Sequence, residues 1–118
     1  MLLFGDSDHK TFLGCLNCVS TNPNSVCNEV GKYGSVVALN SIWNEVGTFG
    51  SVVSSKSPWN VVSNNAPIIV DPDGGSYGYF TANVVHRDRT RIDWLIAVLD
   101  YFEKTNSLEK TRVRMCGD

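Results

Sequence analysis

A chain of 118 residues has room for one small domain, and 42% hydrophobic content fills one modest core. Ten Lys and Arg against twelve Asp and Glu leave a formal charge of −2, without the broad positive field of a non-specific nucleic-acid binder. No apolar run approaches a membrane span, and the opening MLLFGDSDHK lacks the basic and apolar regions of a signal peptide.

Neither a membrane nor nucleic acid is therefore the expected partner. A cytoplasmic location is expected by default, with all four cysteines kept as free thiols.

Residues 2–18 read as a β-hairpin. Leu2-Leu3-Phe4 is a short apolar strand, Gly5-Asp6-Ser7-Asp8 a turn, and Thr11 to Leu16 the return strand.

Residues 25–63 are repetitive. Ser25 to Asn40 reads SVCNEVGKYGSVVALN and Ser41 to Lys56 reads SIWNEVGTFGSVVSSK, identical at nine of 16 positions. A third copy starts at Ser57 and decays after Val62. Duplication of this kind predicts stacking of like on like. Each copy is expected to hold one helical or 3₁₀ turn from Ser to Gly, then a second turn, with Val52-Val53 a brief extended piece. Cys27, Trp43 and Trp59 are register equivalents, as are Tyr33 and Phe49, and these rings are expected to pack into a common core.

Residues 67–83 repeat the hairpin pattern. Ile68-Ile69-Val70 runs into the strong turn Asp71-Pro72-Asp73-Gly74-Gly75, and Ser76 to Thr81 returns. Gly14 and Gly78 are expected at equivalent places where backbones approach closely. Residues 90–104 carry apolar side chains at Ile92, Leu95, Ile96, Leu99 and Phe102, which predicts an amphipathic helix with Thr90 as N-cap. Thr111 to Met115 alternates polar and apolar residues, which suits an edge strand or a frayed end. The sum is one α+β domain over 1–118: a small antiparallel sheet from two hairpins, loop-rich repeats packed on it, and a C-terminal helix.

The repeat resembles a group of short, uncharacterised bacterial sequences with S-x-W-N-x-x-G-x-[Y/F]-G-S units between two Asp-rich hairpins, of a sort encoded on mobile gene cassettes. Ser41, Trp43, Asn44, Gly47, Phe49, Gly50 and Ser51 carry the likeness, which covers roughly residues 2–83; Cys27 departs from it where the first Trp would stand. No activity follows from the resemblance.

Chemistry is sparse. Cys15-Leu16-Asn17-Cys18 is a C-x-x-C at a strand end, away from the helix N-terminus that a redox pair uses, and no second pair completes a zinc site. Asp6-Ser7-Asp8 and Asp71 to Gly74 read as turns rather than cation loops. Neither a cofactor nor a metal is expected. Arg87, Arg89 and Arg91 concentrate positive charge before the helix and could meet phosphate or an acidic partner, and Trp43 with Trp59 could offer a stacking platform. The favoured expectation is a non-enzymatic binding or self-assembly module, with a homo-oligomer built through the C-terminal helix or an edge strand. The alternative is a small hydrolase or nucleic-acid-acting enzyme using Asp71, Asp73, His86 and Asp88 around one pocket.

Overall fold

The structure, a computed structural model, describes residues 1–117. Two hairpins build its sheet. Strand β1 (Leu2–Gly5) pairs antiparallel with β2 (Thr11–Cys15), and β3 (Ile68–Val70) with β4 (Ser76–Tyr79). The hairpins meet through β1 and β3, with Leu2 opposite Val70 and Phe4 opposite Ile68, giving the order β2-β1-β3-β4. Leu3 and Ile69 face each other at the centre of this sheet, both fully buried. The architecture is α+β.

Each outer strand is tied at its last residue to another segment of the chain. The Cys15 N–H donates to Asn24 O and Val26 N–H returns a bond to Cys15 O; the Tyr79 N–H donates to Asp88 O and Thr90 N–H returns one to Tyr79 O. The two arrangements are the same 64 residues apart (Cys15 to Tyr79, Ser25 to Arg89) and form parallel bridges. Gly14 and Gly78 precede the bridged residues with φ of 117° and 84°, where an L side chain is strained. A methyl on Gly78 would also come within 2.7 Å of the Asp88 carbonyl oxygen. The expected equivalence of these glycines thus has a single cause, the close passage of a partner carbonyl.

Between the hairpins the chain makes neither helix nor strand. From Asn22 it advances by hydrogen-bonded turns of three residues: Ser25, Asn28, Gly31, Ser35, Ala38, Ser41, Asn44, Gly47, Ser51, Ser54 and Ser57 each donate to the residue that opens the turn before. The steps at Gly31–Ser35 and Gly47–Ser51 are one residue longer, which makes each coil 16 residues. Ser and Asn favour this path because their side chains can accept from the N–H two residues on. Ser25, Asn28, Ser35, Ser41, Asn44, Ser51, Ser54, Ser57, Asn60 and Ser63 all do so. The helical turn expected within each copy and the extended piece expected at Val52-Val53 are corrected: both are corners of this spiral. A local Ser or Asn acceptor at most of the turn-opening positions wins over helix propagation.

Side chains that reach backward tie turns together within a coil and join one coil to the next. Asn28, Asn44 and Asn60 donate Nδ2 to the carbonyls of Asn22, Ala38 and Ser54, six residues earlier in each case. Trp43 and Trp59 donate their indole N–H to Val26 O (2.8 Å) and Ile42 O (2.6 Å), one coil back. Gly34 and Gly50 sit where the chain turns inward; a methyl there would fall on the backbone of Asn28 or Asn44.

Helix α1 (Asp93–Thr105) closes the core with Leu95, Val98, Leu99 and Phe102. It starts later than expected, because Thr90 Oγ1 accepts from Ile92 N–H in a turn and caps nothing. Asn106 ends it in the left-handed conformation, donating to Phe102 O. The tail expected as a strand or frayed end is helix α2 (Leu108–Cys116). Ser107 caps it by accepting from Lys110 N–H, and Leu108 and Thr111 bury one helical face.

The cysteines correct another expectation. Cys15–Cys18 and Cys27–Cys116 are disulfides, with Cα atoms 5.6 and 5.5 Å apart. Cys27 occupies the position of Trp43 and Trp59 in the first coil. There it clips α2 onto the spiral, beside Arg112, which bonds Glu29 and Gly34 O.

Candidate functional site

The three arginines singled out by the sequence come together. Arg87, Arg89 and Arg91 line one open hollow of about 670 Å³ with Tyr77, Tyr79 and Ile92. The bridge at Tyr79 and Arg89 puts them there: it lays residues 88–90 along β4, so that β4 supplies the tyrosines and the bridging segment the guanidiniums.

The hollow is braced from below. Arg89 donates Nε to Thr81 O at 2.9 Å and lies 3.5 Å from Asp100. Arg87 and Arg91 are exposed, and among the described residues no carboxylate pairs with them. The Tyr77 hydroxyl donates to Asp71 at 2.9 Å, which pushes its own ionisation up. Asp71 is held below the ordinary carboxylate range by the Gly75 N–H first and by that hydroxyl second. Tyr79 lies tilted against His86, with centroids 4.5 Å apart, and meets His9 edge-on at 5.4 Å. His86 Nδ1 accepts from Asp88 N–H at 3.0 Å, so in the neutral ring the proton sits on Nε2.

Of the four residues considered for hydrolysis, only Asp88 lines the hollow. Asp71 accepts from three groups of its own hairpin, Asp73 is exposed in the same turn, and His86 supports the Tyr79 ring. The described residues contain no cluster of metal ligands.

The stacking-platform expectation for Trp43 and Trp59 is corrected. They are 2% and 1% exposed and stacked on each other at 5.4 Å, with Phe80 and Phe102 against Trp59. Their rings face the core because the indole N–H has a carbonyl to satisfy inside it.

Sequence reasoning missed a second surface. Each coil points valines outward at the residue two beyond a turn-opening Asn or Ser. Val30, Val46 and Val62 form one column and Val37 and Val53 another, with Val30 93% and Val46 94% exposed. Val36, Val52 and Val61 stand beside them, half exposed. Asn83-Val84-Val85 extends the pattern after the second hairpin, with Asn83 Nδ2 on Ser63 O. The readable signal was Ser, Asn or Gly at nearly every third residue, which places each valine at a turn corner.

No protein-family model matches the chain, and no curated protein and no solved structure is similar to it. Among the described residues no helix is long and apolar enough to cross a membrane.

Proposed function

We propose that the chain is a non-enzymatic self-assembly module in which a second copy docks on the valine columns. The carrying observation is the repeated exposure of a β-branched apolar residue at corners that Gly, Asn or Asp would occupy at less cost in water. The other routes to association are narrowed. The apolar face of α1 is buried, and both sheet edges are bridged, at Cys15 and at Tyr79. A face ordered by a 16-residue repeat can set column against column about a two-fold axis, and a net charge of −2 opposes this only weakly.

Light scattering tests the reading. The wild-type chain is expected at twice its monomer mass at high concentration, and Val46→Lys with Val53→Lys, at exposed corners of the central coil, at the monomer mass with the fold intact. A wild-type monomer at every concentration overturns it.

Kinship with the short bacterial repeat proteins belongs to the same reading. It is supported by the duty each shared residue has in the coil: Ser41 and Asn44 hold turns, Trp43 spans coils, Gly50 admits the neighbouring backbone. The two disulfides weigh against the default cytoplasmic placement, since reducing compartments keep such pairs open, and they favour an oxidising one. The hydrolase alternative has no converging set of side chains to support it.

A further inference from the structure

We infer that the arginine hollow is a binding site for a nucleoside phosphate, independent of the valine face. Arg87 and Arg91 are exposed forks without a carboxylate partner among the described residues, and a guanidinium fork matches phosphate oxygens two at a time. Arg89 is fixed by Thr81 O and Asp100, which holds the segment carrying the other two arginines in place. With Arg89 so paired, Arg87 and Arg91 still outnumber Asp88, the one acid on the lining, so the hollow favours an anion.

The second half of the ligand follows from the tyrosines. Tyr77 is 41% exposed while its hydroxyl is pinned to Asp71, so its ring is held in one place with open surface beside the arginines. A held aromatic face stacks a base at little entropic cost. Tyr79, wedged between His9 and His86, forms the wall and leaves Tyr77 as the platform. A hollow of about 670 Å³ suits a single nucleotide. A nucleic-acid strand would need basic charge beyond the hollow, and the chain as a whole is negative.

Calorimetric titration of the intact, disulfide-bonded chain with adenosine monophosphate, adenosine and inorganic phosphate tests this. The nucleotide is expected to bind about tenfold or more tighter than either fragment. Arg87→Ala and Arg91→Ala are each expected to weaken it about tenfold, and Tyr77→Ala to reduce it to the affinity of phosphate. These side chains are exposed, so circular dichroism of the variants is expected to match the wild type. Absence of nucleotide binding, equal affinity for nucleotide and phosphate, or undiminished binding in the folded arginine variants overturns the inference.

Discussion

The indole nitrogen of Trp59 donates to Ile42 O inside the core, and that of Trp43 to Val26 O. Replacement by Phe keeps a ring but strands a buried carbonyl, a loss of about 1–3 kcal/mol. Trp59→Phe is therefore expected to lower stability by that amount in urea unfolding, with little change in the slope. Asp71 gives a residue-scale pH dependence. Its carboxyl is held below the ordinary range, so its support of the hairpin is complete above that range and is lost as pH falls through the lowered value. Tyr77 is raised, so its support is complete below the ordinary tyrosine range and is lost as pH rises through the raised value. Carboxyl-carbon chemical shifts of Asp71 should titrate below the ordinary carboxylate range, and the Tyr77→Phe variant should move that titration back toward it. Asp71 and Asp73 were legible as turn formers from their neighbours. The tie to Tyr77 was not, because it depends on a hairpin register that spacing alone leaves open.

At the scale of elements, the hairpins and α1 announced themselves through apolar runs, turn residues and helical spacing. The spiral did not. Its backbone bonds are local, but its stacking bonds join residues a coil apart, and a reader expecting helix or strand sees in Ser-x-x-Asn-x-x-Gly only punctuation. Helix α2 was missed for a related reason: Thr111 to Met115 alternates over five residues, yet Ser107 as cap and Leu108 with Thr111 as anchors set a helical period. The spiral makes a sharp prediction at Gly50. An alanine methyl there would fall 2.1 Å from the Asn44 carbonyl oxygen, which the coil can relieve only by opening. Gly50→Ala is expected to cost several times what Gly74→Ala does in space, because nothing lies within 4 Å of Gly74, where the cost is its φ of 92° alone. Thermal unfolding of the two variants checks the order.

For the molecule as a whole, the core was legible in outline and the cysteines were not. Cys27 and Cys116 are 89 residues apart and meet only because α2 folds back on the first coil. Closing so long a loop restricts the unfolded chain, worth about 2–5 kcal/mol. The Cys27→Ser, Cys116→Ser double variant is expected to lose that much in chemical unfolding, and alkylation of the native protein without reductant is expected to label no cysteine.

The bridges at Cys15 and Tyr79 fasten the first coil of the spiral and the segment after β4 that extends its pattern to opposite margins of the sheet. The span between those margins is set by four strands, each adding about 4.8 Å. The sheet is therefore a ruler for the tandem array. A duplication that inserted one more 16-residue unit would overshoot the far margin unless a further strand widened the sheet with it, so copy number in such a chain is held in place by geometry, however readily the gene slips.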